Sequence, residues 1–154
     1  MTAKEYLQQI ANMECKINIL RLELEDLKEK ALSIGGSGFG ERVQTSPTGD
    51  ALERKVAKII DKENELSDYI LKAVNIRNKI VLQITGLKDT RYMQILHMHY
   101  VPEHGRLKRL EDIACIMKKK NGDCYSYDHI VDLHGEALQV FQKKYLNPIE
   151  TPCK

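Results

Sequence analysis

All five histidines of this chain, His97, His99, His104, His129 and His134, fall between residues 97 and 134. Such crowding invites a metal site or acid–base pair, but the spacing argues against both. On a helix, residues two apart do not face each other, so His97 and His99 diverge, and His129 and His134, five apart, diverge as well. No carboxylate stands with a histidine as in a zinc-protease helix, and no Ser–His–Asp arrangement is present. The spacing leaves His134 as a partly buried polar group bonded to the preceding helix. The four cysteines, Cys15, Cys115, Cys124 and Cys153, are scattered without a CxxC pair. A tetrahedral zinc site is most simply assembled from two close pairs of ligands, so these read as free thiols in a reducing compartment. Gly35, Gly36, Gly38 and Gly40 do not make a phosphate loop, because no Gly-Lys-Ser/Thr follows and no strand precedes. Catalysis, a metal and a cofactor are therefore not expected.

The elements that carry these residues are helical. The chain has 154 residues, 42% of them hydrophobic but only 6% aromatic and none Trp, which favours long helices with an aliphatic stripe over a broad globular core. No apolar run approaches the ~20 residues needed to span a bilayer. The start, MTAKEYLQQI, carries Glu5 and no apolar stretch of the signal-peptide kind, so a cytoplasmic location is expected. A net charge of +2 neither demands nor excludes a nucleic-acid partner.

From Thr2 to Leu32 the sequence keeps a heptad, with Ile10, Ile17, Leu24 and Ala31 on one line and Met13, Leu20 and Leu27 on the next. β-branched residues at one seam position and Leu at the other suit tight helix pairing. Thr2 is the expected cap, with Glu5 as its capping-box partner. The glycines then break the helix and imply a flexible connector. A second long helix is expected from Thr48 or Asp50 to about Gly86, with Leu52, Ile59, Leu66, Ala73, Ile80 and Leu87 seven apart and Val56, Ile70 and Ile84 beside them. Glu63 and Arg77 interrupt that second line and are expected to snorkel at its edge. The fold class expected is all-α: a long antiparallel, coiled-coil-like helical hairpin over residues 1–87, with its Gly-rich loop at 33–49, then a three-helix helix-turn-helix domain over 88–147 and a flexible tail at 148–154.

Within the C-terminal part, Lys88-Asp89 breaks the second helix, and Asp89 or Thr90 can cap a short helix from Arg91 to Val101. Leu110 to Met117 reads as another short helix. Asn121-Gly122 marks a turn, and Ser126 caps a last helix with Ile130, Leu133, Ala137, Leu138 and Phe141 as its apolar stripe, fraying near Asn147-Pro148. Ala114 sits where the two motif helices would pack closest.

The stretch DTRYMQILHMHYV…LEDIACIM…SYDHIVDLHGEALQVF resembles region four of bacterial sigma factors. It is more closely similar to small phage-encoded transcription regulators of Gram-positive bacteria, whose N-terminal coiled coil and RVQTSP-containing segment it shares, so the resemblance covers nearly the whole chain. That resemblance implies control of phage gene transcription by binding double-stranded DNA near a promoter, where host RNA polymerase is a further candidate partner; the apolar line from Ile10 to Ala31 separately leads us to expect a homo-oligomer, a dimer favoured, through the hairpin. The resemblance implies that Ser126 starts a recognition helix and that Tyr127, Asp128, Val131 and Asp132 face the major groove, with His129 beside them. Asp128 would accept from cytosine N4. The chain departs from the pattern in having no Lys or Arg from Ser126 to Gln142, and in His99 where the family more often has Arg. Affinity for phosphate would then come from Lys118, Lys119 and Lys120 as a clamp, or from Arg106, Lys108 and Arg109, with Lys143 and Lys144 also available. Two rivals are a module that docks on polymerase or another protein without reading DNA, and a small DNA-packaging subunit.

Overall fold

The computed structural model describes residues 1–32, 48–103, 106–119 and 122–147. Among these the chain is all-α, with five helices and no strand: α1 Ala3–Leu32, α2 Thr48–Thr85, α3 Thr90–Tyr100, α4 Leu110–Ile116 and α5 Tyr127–Phe141, the last continued by a π-helical turn, Gln142–Leu146. Most of the expected Gly-rich loop, His104, Lys120, Cys153 and the expected tail lie outside the described residues. None of the helices described is long and apolar enough to cross a membrane.

The chain divides into two compact units, one of Met1–Glu14 with Ala73–Lys154, the other of Cys15–Lys72. The division read from the sequence at 87/88 falls elsewhere. The first turns of α1 and the last turns of α2 share one core with α3, α4 and α5, since Leu7, Ile80, Ile84, Ile95, Ile113 and Phe141 belong to one buried cluster and are wholly enclosed. Each such side chain contributes roughly 1.5–3 kcal/mol by leaving water. The start of α1 carries the reciprocal cap: the Thr2 amide donates to Glu5 Oε2 at 2.8 Å and the Glu5 amide to Thr2 Oγ1 at 3.3 Å. The Ala3 amide donates to the Gln142 side chain, and Tyr6 Oη donates to Gln83 Oε1 at 2.9 Å, which ties α1 to both other walls of this unit.

The helix ends follow local chemistry. Asp89 caps α3 by accepting from the Arg91 amide at 2.8 Å, so that helix begins at Thr90 rather than Arg91. It ends at Tyr100 rather than Val101, because the residue before Pro102 is pushed out of the helical region and Val101 is extended. Met117, expected inside α4, is likewise extended and closes that helix. α2 stops at Thr85, and Lys144 Nζ donates to the Gly86 carbonyl at 2.6 Å, the usual role of a cation at a helix C-terminus. A Cβ on Gly86 would lie 2.5 Å from Tyr145 Oη, so a larger residue there requires the Tyr145 side chain to shift. After Phe141 the chain widens into the π turn, closed by the Asn147 amide to the Gln142 carbonyl at 2.8 Å.

In the Cys15–Lys72 unit, Leu20 and Leu24 are buried, and Ile17, Ile59, Leu66 and Ile70 are half-buried. Lys16 lies over the Tyr69 ring at 4.8 Å, Lys62 pairs with Glu23 at 2.6 Å and Lys28 with Glu63 at 2.7 Å. Glu63 is about half exposed in its pair. Such exposed pairs contribute little, and the buried leucines outweigh them.

Candidate nucleic-acid interface

α5 is set by a cap at its start and a stripe along its length. Ser126 Oγ accepts from the His129 amide at 3.4 Å, with Ser126 itself extended. Ile130, Leu133, Ala137 and Phe141 are buried on one side. The other side carries the residues expected to read a groove. Ser126, Tyr127, Asp128, His129, Val131 and Asp132 are all exposed, Tyr127 by 49% and Val131 by 38%. Their apolar bodies are thus open to solvent on this side of the helix. The His129 ring is partly committed, lying parallel to Tyr125 at 5.1 Å and 8°.

α4 packs against both α3 and α5. It is only seven residues long, and Ile113 and Ala114 are its buried positions. The turn from α4 to α5 is a narrow loop: the Gly122 amide donates to the Lys119 carbonyl at 2.9 Å, the Lys119 amide to the Asp123 carbonyl at 2.8 Å, and Lys118 and Cys124 form an isolated antiparallel bridge. Gly122 has φ +88°, which a residue with a Cβ adopts only under strain, so the expected Asn-Gly turn has its physical reason at this residue.

The expected cations separate into groups. Lys118 and Lys119 are exposed on the turn before α5, with Lys119 Nζ 5.7 Å from the centre of the Tyr125 ring. Lys120 is outside the described residues. Arg106 and Arg109 are exposed in the connector between α3 and α4. Arg106 exchanges backbone hydrogen bonds with Glu103 at 3.1 and 3.2 Å, and the Arg109 amide donates to Asp112 Oδ2 at 3.3 Å. Lys108 is paired with Glu103 at 2.7 Å. No hydrogen bond or ion pair among the described residues joins this connector to the exposed face of α5.

Two groupings were not readable from the sequence. Lys88, Asp89, Thr90 and Arg91, at the turn into α3, line a shallow hollow together with Tyr125. Arg91 grips Asp89 with Nε at 3.2 Å and Nη2 at 2.8 Å, and the guanidinium holds that carboxyl below its usual range. Separately, His99 and His134, on different helices, meet with ring centres 5.1 Å apart. Tyr100 Oη lies 3.0 Å from His134 Nε2, and His99 Nδ1 lies 2.9 Å from the Lys108 carbonyl. Burial lowers the His134 imidazole to about 4, with His99 and Lys4 adding to the effect. His134 does bond to another helix, but to α3 rather than to α4, the helix before it in the chain. Spacing along one helix carries no signal for a pair formed across two. Among the described residues no group of three or more His, Cys, Asp or Glu is placed to hold a metal ion. Cys15, Cys115 and Cys124 are free thiols. Comparison of the chain with family models, curated proteins and solved structures found no match.

Proposed function

We propose that the chain is a transcription regulator that binds double-stranded DNA near promoters through a helix-turn-helix made by α4 and α5, and that self-associates through a helical hairpin made by α1 and α2. In this reading it acts in the cytoplasm of a bacterial host on phage genes, as its resemblance to small phage regulators implies, without catalysis or a cofactor. The observation that carries the reading is the two-sided character of α5. Its core side is closed by Ile130, Leu133 and Ala137, while Tyr127, Asp128, Val131 and Asp132 stand exposed next to a Ser cap and two exposed lysines. An α-helix fits the major groove of B-DNA, where a carboxylate can accept from cytosine N4 and an apolar side chain can meet the thymine methyl.

The test separates discrimination from attachment. Genomic footprinting at about 100–150 mM salt identifies the preferred site, since lower salt inflates non-specific binding. Asp128→Ala then lowers preference for that site by about 1–3 kcal/mol. It leaves affinity for random duplex equal or higher, because it removes a charge that phosphate repels. Unchanged preference in this variant, with a normal melting curve, overturns the reading of α5 as a groove reader.

A second reading has an observation of its own. Met93, Met98, His97 and the half-exposed Ile116 line an apolar hollow of about 360 Å³ against Ile84. Flexible Met side chains suit a surface that accepts a partner's apolar residue, which favours docking on a protein such as RNA polymerase. Polymerase capture that persists in Asp128→Ala but is lost in Ile116→Asp supports that reading.

A further inference from the structure

The acidic character of α5 poses an electrostatic problem. A helix with Asp128, Asp132 and Glu136 and no Lys or Arg brings like charge to a duplex whose affinity for proteins comes mainly from cations at its phosphates. The fold gathers cations next to the first turn of α5 from two other places. Lys88 comes from the α2–α3 turn and shares a hollow with Tyr125. Lys119 comes from the α4–α5 turn and sits above the same ring at 5.7 Å. Tyr125 in turn stacks on His129 in the first turn of α5. The one carboxylate of the hollow, Asp89, is engaged by both the guanidinium and the amide of Arg91, so Arg91 and Asp89 cancel each other. Lys88 and Lys119 are both exposed and have no carboxylate partner among the described residues.

We propose that Lys88 and Lys119, gathered around Tyr125, form a seat for a backbone phosphate of duplex DNA at the entry of α5. The inference rests on the DNA-binding reading and deepens it. It keeps Lys119 of the expected Lys118–Lys120 clamp and joins to it Lys88 from the turn before α3, in place of the Arg106–Arg109 connector. Phosphate contacts fix register without reading sequence. A seat at one end of α5 therefore anchors a helix whose own charge would hold it off, and leaves Asp128 and Asp132 to discriminate.

The experiment is a salt series of duplex binding by the full chain, on the preferred site and on random duplex. The variants are Lys88→Ala, Lys119→Ala, Lys88→Arg, Arg106→Ala and, as a control outside the seat, Lys58→Ala. Each alanine in the seat is expected to weaken both duplexes alike, roughly five- to tenfold, and to lower the slope of log affinity against log salt by about one unit. Lys88→Arg retains the slope, and Lys58→Ala leaves slope and affinity unchanged. Melting curves keep any loss of fold apart from loss of contact. A wild-type chain that binds with a steep salt slope, together with seat variants that match it and an Arg106→Ala that does not, overturns the seat and leaves DNA binding standing. A wild-type chain with no salt-dependent duplex binding overturns both.

Discussion

His134 gives the clearest handle at the level of a single residue. The Tyr100 phenol, which burial pushes up to about 12, is hydrogen-bonded to His134 Nε2 across 3.0 Å. Burial, then His99, then Lys4, lower His134 from 6.5 to about 4. Between those values the unfolded chain binds a proton that the folded chain refuses. The stability is therefore complete above pH 6.5 and falls as pH drops towards 4. The melting temperature should decline across that window more steeply in the wild type than in His134→Gln, which can still bond to Tyr100 but does not titrate. Parallel pH profiles for the two proteins would remove His134 as the cause. The carboxylates titrating in the same range are common to both, so the difference between the profiles isolates the histidine.

At the level of an element, α4 is the informative case. Seven residues are too few for a helix to persist alone, because nucleation costs more than so few hydrogen bonds return. Its stability is borrowed from α3 and α5 through Ile113 and Ala114, which are 0% and 6% exposed. Ala114→Leu would force extra volume into that crossing and should cost about 1–3 kcal/mol. Thermal and urea melts measure this, and an unchanged midpoint would mean that the residue faces open space. A helix end reshaped in this way also displaces the α4–α5 turn, so duplex binding is expected to fall together with stability in this variant, unlike in Asp128→Ala.

For the molecule as a whole, the unexplained surface lies in the Cys15–Lys72 unit. Val56, Ile60 and Leu71 are 45%, 51% and 61% exposed. At 100° per residue they and Ser67 fall within about 60° of one another around the axis of α2, on a different line from the half-buried Ile59, Leu66 and Ile70. Three exposed apolar side chains on one side of a helix offer a surface on which a second copy could pack. Sedimentation at micromolar concentration should show a species heavier than the monomer, and Leu71→Asp should shift it to the monomer without loss of helicity. A monomeric wild type, or a Leu71→Asp that sediments as the wild type does, would exclude this stripe as the contact.

The features that the sequence by itself determined are those made between near neighbours. The Thr2–Glu5 box, the Asp89 and Ser126 caps and the Gly122 turn each join residues no more than a few positions apart, and the stripe of α5 repeats with the helix period. The exposure of Tyr127, Asp128, Val131 and Asp132 was legible for the same reason, being the complement of that stripe. Only the tertiary structure decided which helix faces closed on one another. A heptad read along α1 gives no sign that Leu7 and Ile10 join a core with Ile84 and Phe141 while Leu20 and Leu24 belong to another unit. The meeting of His99 with His134 and of Gly86 with Tyr145, and the hollow that Lys88 shares with Tyr125, were hidden likewise. The reason is physical: an apolar stripe states that a face will be buried, but its partner is chosen by the packing of all the helices at once, and chemistry shared between elements exists only after that choice.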